Sequence, residues 1–189
     1  MKRGFKAEAE RISSEIRAEL SLEADEKLNP LELAEHLAIP VFTLGQANNV
    51  APTSSFSQYF ASVDSDAFSA ITVFQGRKRL IIHNENHHPN RQASNVSHEI
   101  SHSLLEHEPT ALVSADGQRY WNAEVEKEAN WLGAVLLIPR DGALEMTRSG
   151  GTITEIAIHY GVSEILCRWR MGQSGVIQQI QRWRSYRYN

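Results

Sequence analysis

The chain has 189 residues, 41% hydrophobic and 22% charged, with a net charge of −4; these values suit one soluble globular domain, or a main domain with a small appendage. The longest apolar run, residues 131–138, falls far short of a membrane span, and the basic start at Lys2, Arg3 and Lys6 is interrupted by Glu8, Glu10 and Arg11, which argues against a secretory signal. The single cysteine, Cys167, excludes an internal disulfide and a cysteine-rich metal site, so a cytoplasmic location is expected.

Residues 7–26 are rich in Glu, Ala, Leu and Arg, and Ile12, Ile16 and Leu20 stand four apart, so a helix with one apolar stripe is expected there. Asn29-Pro30 opens a second, short helix that carries Leu31, Leu33, Ala34 and Leu37 and stops before Pro40. Val41, Phe42 and Leu44 suggest a short strand. Residues 45–68, rich in turn formers, read as loop or irregular structure. Residues 71–74 and 80–83 read as two strands about a turn at Gly76.

A polar loop over 84–90 leads into a helix over 91–106, then a loop with Pro109 and Gly117. A further helix over 122–138 is stopped by Pro139, and a short one runs to Gly150-Gly151. The tail reads as helix, turn and helix, with one more helix after them. Few strands among many helices, without strict alternation, point to an α+β fold.

The chemistry centres on His98-Glu99-Ile100-Ser101-His102. Residues four apart on a helix lie one turn above each other, so both imidazoles can reach one ion. Glu99 points to the side, where it can polarise a water without binding the metal. Val96, Ile100 and Leu104 form a separate stripe that can face the core. A catalytic zinc site needs a third protein ligand and an open position. No histidine follows at the metzincin spacing.

Glu124, Glu126 and Glu128 are the candidates on the later helix, whose buried stripe is Val125, Ala129, Leu132 and Leu136. Glu126 shares a face with Asn130, so one could bind the ion while the other steadies a ligating histidine. Glu124 and Glu128 each lie about 200° from Glu126 around the axis, and Glu128 stays open as the alternative ligand. His83, His87, His88 and His107 flank the motif and read as exposed loop histidines, or as contacts for a substrate.

HEISH followed by EKEANWLGAVLLIP, with the lead-ins NPLELAEHLAIPV and RLIIHNENHHPNRQASN, resembles the ImmA/IrrE family of metallopeptidases over about residues 28–171. Ser101 stands for a frequent Gly, Leu132-Gly133 for Phe-Ala and Ile138 for Met, none of them at a ligand position. The resemblance implies a compact gluzincin-like fold: a small twisted sheet whose edge holds substrate, an active-site helix and a glutamate helix. It implies Zn2+ held by His98, His102 and Glu126, with Glu99 as general base. Tyr120 is a candidate hydrogen-bond donor to an oxyanion, as tyrosines are in related enzymes. The implied substrate is a protein, an XRE-type helix-turn-helix repressor encoded nearby.

On this reading residues 1–146 form the metallopeptidase domain, and 147–189 a helix-turn-helix-like extension packed on it. Ala157, Gly161 and Ser163 mark the turn, while Cys167 sits where a larger aliphatic is usual. Residues 147–189 hold six arginines against two glutamates. DNA contact, docking of the repressor or completion of the core are the three roles open to it. The last two are favoured, because the chain as a whole is acidic. The rival reading of the whole protein is a DNA-binding or anti-repressor module that does not cleave. Glu99 speaks against it, since a structural metal site needs no general base.

Overall fold

The computed structural model describes residues 1–50, 68–75, 78–108 and 122–187. Its elements in chain order are α1 (Phe5–Glu19), α2 (Pro30–His36), β1 (Val41–Thr43), α3 (Leu44–Val50), β2 (Ala70–Gln75), β3 (Lys78–His83), α4 (Pro89–Leu104), α5 (Ala123–Leu137), α6 (Arg140–Arg148), α7 (Ile153–Tyr160), α8 (Glu164–Gln173) and α9 (Val176–Arg187). The fold is α+β, as expected. Among the described residues no helix is long and apolar enough to cross a membrane.

The sheet has the order β1-β3-β2, with β1 parallel to β3 and β2 antiparallel to it. Side chains alternate along a strand, so the register sorts them into two faces. Val41, Ile81 and Thr72 are paired across the strands and share the face turned to the helices. Ile71, Val73, Leu80 and Ile82 take the other face, where they pack with Phe68 and with Leu44 and Ala47 of α3. Among the described residues β2 pairs only with β3.

Helices α4 and α5 form the main packing, with Val96 and Ile100 meeting Leu132, Val135 and Leu136; Phe5, Ala9 and Ile16 of α1 close the other side. Gly133 allows the close approach. A Cβ there would lie 3.2 Å from the His98 backbone nitrogen and 3.3 Å from Ser97 carbonyl atoms. Ser97 and Ser101, both fully buried, keep the facing surface thin, and the Ser101 hydroxyl donates to the Ser97 carbonyl at 2.7 Å. A second core joins Leu137 and Ile138 to α6, α7, α8 and α9 through Leu144, Ile156, Tyr160, Cys167, Met171 and Val176.

Two expectations need correction. The first helix stops at Glu19 rather than near residue 26. Ser21 takes a left-handed φ of 57° and Leu22 N–H bonds back to the Arg17 carbonyl, a Schellman ending without glycine. The buried Arg17 guanidinium then gathers the carbonyls of Glu23 and Glu26, which gives that stretch hydrogen bonds outside a helix. The stretch read as loop from residue 45 begins as α3. Thr43 and Gln46 cap it reciprocally, at 2.8 and 3.1 Å. The Glu85 carboxylate also accepts from the Leu44 and Gly45 amides, each at 3.0 Å.

In the tail, Thr152 and Glu155 form a capping box, Gly161 ends α7 at φ 64°, and Ser163 caps α8. Arg170 is 1% exposed; it donates to the Ile138 carbonyl at 2.9 Å and to Glu10 at 2.5 Å. Trp169 packs edge-on against Trp131 of α5, with ring centroids 5.2 Å apart. Arg168 is the one arginine α8 turns to solvent. Of the two arginines expected on that helix, one is therefore committed to the interior.

The α4–α5 contact predicts a measurable sensitivity. Gly133→Val should destabilise the fold by about 1–3 kcal/mol in denaturant unfolding, because the new atoms meet helix backbone that cannot move aside.

Candidate functional site

Helix α4 begins at Pro89, behind a His88 side chain that accepts from the Asn90 amide. Its core stripe turns inward, and that phase leaves His98 and His102 on a partly exposed face toward α5. Their Nε2 atoms are 3.0 Å apart. Glu126, on the first turn of α5, brings Oε2 to 3.3 Å from His98 Nε2 and Oε1 to 3.8 Å from His102 Nε2. One donor atom from each residue lies within 4.8 Å of the others. Three lone-pair donors converging on one space suit a metal ion, which removes the repulsion they would otherwise feel.

The three glutamates of α5 separate clearly. Glu124 is exposed and pairs with Lys127 at 3.0 Å and with the amino group of Met1. Glu128 is 7% exposed and lies toward His107, not toward the His98–His102 pair. Glu126 alone of the three joins both histidines of the motif. Asn130 is exposed; its side chain favours the protonated form of His98. His98 Nδ1 nevertheless has no hydrogen bond of ordinary geometry among the described residues. Tyr120 lies outside the described residues.

Glu99, one residue on from His98, projects toward β2. The Thr72 hydroxyl donates to its Oε2 at 2.6 Å. Burial pushes the Glu99 carboxyl above its ordinary range, and the Thr72 bond and the neighbouring His98 offset that only in part. For His98 burial works downward, but the Glu126 carboxylate and Glu99 outweigh it and hold the ring above its usual value. His102 is driven well down by burial and then by the neighbouring His98.

The flanking histidines are not the exposed loop residues they were expected to be, His88 excepted. His83 is buried, and its burial lowers its pKa. His87 lies within 3.5 Å of the Asn84 amide. His107 sits against His102, with their Nδ1 atoms 2.9 Å apart. Thr72 had no assigned role in the sequence, and the contact of His107 with His102 was not expected. For Thr72 the alternation of the strand was legible, but not which helix the strand would face. For His107 no periodic pattern exists.

The family profile described as the IrrE N-terminal-like domain matches residues 34–171. No curated protein matches the chain significantly.

The Thr72 contact makes a prediction about charge. In Thr72→Val the carboxylate of Glu99 loses a donor that favours its ionised form. The Glu99 carboxyl should then titrate at higher pH than in the wild type when followed by carbon NMR of the zinc-free protein.

Proposed function

The chain belongs to the ImmA/IrrE family of peptidases, and from that premise we propose that it is a zinc-dependent endopeptidase whose ion is held by His98, His102 and Glu126. The convergence of those three side chains carries the reading. Nitrogen and oxygen ligands about 2.0–2.2 Å from a tetrahedral zinc lie roughly 3.4 Å from one another. The two ring nitrogens, 3.0 Å apart, and the Glu126 oxygen nearest each, Oε2 at 3.3 Å from His98 and Oε1 at 3.8 Å from His102, lie near that value. Two imidazoles and a carboxylate are also a ligand set that catalytic zinc uses. When bound, zinc supplies Lewis acidity, polarising the scissile carbonyl and making water a nucleophile near neutral pH.

Glu99 is the general base in this proposal. It stands beside the histidine pair yet is turned from them, and Thr72 holds its carboxylate in place. A carboxyl raised by burial takes a proton near neutral pH more readily than an ordinary one and returns it to the leaving amine. The family resemblance puts the substrate at an edge of the sheet. An extended peptide can add there as a further strand, held by main-chain hydrogen bonds. Asn130 has the position to steady His98 when the ring turns to the ion.

The substrate we propose is an XRE-type helix-turn-helix repressor encoded nearby, met in the cytoplasm; this rests on the family resemblance. We take residues 1–146 as the catalytic part and 147–189 as an extension that completes the core and docks the substrate. The burial of Arg170 and the edge-on packing of Trp169 against Trp131 favour that use of α8 over contact with DNA. Co-expression with the product of the adjacent gene, followed by mass spectrometry of both chains, tests the partner: a single new pair of fragments is expected.

Glu99→Gln should retain fold and zinc while cleavage falls by about 100-fold or more, since the amide cannot accept the proton. Cleavage at the wild-type rate would assign the base elsewhere. Metal analysis should find about one zinc per chain, lost in His98→Ala and His102→Ala. Glu126→Ala should weaken binding far more than Glu124→Ala, whose side chain points to solvent.

A further inference from the structure

We propose that His107 and Glu128 form a positioning pair that fixes the ring orientation and tautomer of His102 from the side away from the metal. This rests on His102 being a ligand, and it gives a role to two groups the peptidase reading leaves unused.

The backbone brings His107 to this place. Helix α4 ends in a turn in which Glu106 takes a left-handed φ of 52°. The Glu106 amide donates to the Ser103 carbonyl at 3.2 Å, and the His107 amide to the His102 carbonyl at 3.0 Å. That is the paired bonding of a Schellman ending, here on a residue other than glycine. It folds the chain back so that His107 stands edge-on to His102, ring centroids 5.0 Å apart, with Nδ1 facing Nδ1 at 2.9 Å.

The tautomers follow from the chemistry. His102 turns Nε2 toward His98 and Glu126, and a ligating nitrogen carries no proton. Its proton is then on Nδ1 and points at His107. His107 must accept through Nδ1, which leaves its own proton on Nε2. That atom faces Glu128 Oε2 at 3.7 Å, an electrostatic contact rather than a hydrogen bond. The other Glu128 oxygen accepts from the Lys2 backbone amide at 2.9 Å, so the carboxylate is held in place. A carboxylate 7% exposed to solvent is costly without partners, and these two supply them. The Lys2 amide and His107 Nε2–H thus face different oxygens of Glu128, and His102 Nδ1–H faces His107 Nδ1, so each proton in the series meets its own acceptor atom. Ligating histidines commonly bear such support on their second nitrogen, and its loss costs about 10–100-fold in metal affinity.

The test uses the full chain, labelled with 15N-histidine, with and without zinc. In the zinc-free wild type His102 should be the Nδ1–H tautomer with a slowly exchanging ring proton. In His107→Phe it should shift toward Nε2–H, and zinc affinity, measured against a competing chelator, should fall by about 10–100-fold. Glu128→Gln, which keeps the shape, should move both readouts in the same direction by less, and it decides the matter if His107→Phe does not fold. Wild-type affinity in both variants, or weakened affinity with the His102 tautomer unchanged, would overturn the proposal. Wild-type protein that binds no zinc would overturn the metal centre itself, and this pair with it.

Discussion

The approach of α4 to α5 at Gly133 is the constraint on which the site depends. His98 lies on one helix and Glu126 on the other, two turns before that glycine. The distance between the two backbones therefore sets the distance between these two side chains. Burial of Ile100, Leu132 and Leu136 holds the helices together, while the absence of a side chain at Gly133 and the small Ser97 opposite set how close they come. The apolar contact is strong and unspecific in direction; the glycine gives it one separation.

The sheet supplies the other side of the arrangement. Its register turns Thr72 toward α4 and Ile71 and Ile82 away, so a single hydroxyl of β2 reaches Glu99 while its neighbours hold α3. The same burial that raises the Glu99 carboxyl makes this hydroxyl matter, because an unpartnered buried carboxylate would be expensive. Glu99 is thus gripped by a strand, and His98, His102 and Glu126 by two helices.

The second core ties the C-terminal helices to the end of α5. Arg170 spends its charge on Glu10 and its Nε–H on the carbonyl of Ile138, which Pro139 leaves at the end of the helix. An arginine committed in this way cannot also meet phosphates. Thr152, Gly161 and Ser163 mark the ends of α7 and α8, and the second of these helices turns one of its two arginines inward.

Much of this was determined by sequence alone. The four-residue spacing puts His98 and His102 on one helix face whatever surrounds them, and the apolar stripes of α4 and α5 orient those faces. The caps at Asn29, Asn122 and Ser163 place helix starts to within a residue. Even the beginning of α3 was legible in the Thr43–Gln46 capping box, within a stretch whose composition suggested loop. The tertiary structure alone decided which of three glutamates meets the histidines, that Thr72 holds Glu99, that Arg170 lies inside, and that His107 turns back onto His102. Each of these depends on the distance and rotation between elements far apart in the chain, or on one backbone angle at Glu106. Local periodicity encodes the face a residue occupies, but not the neighbour that face will find.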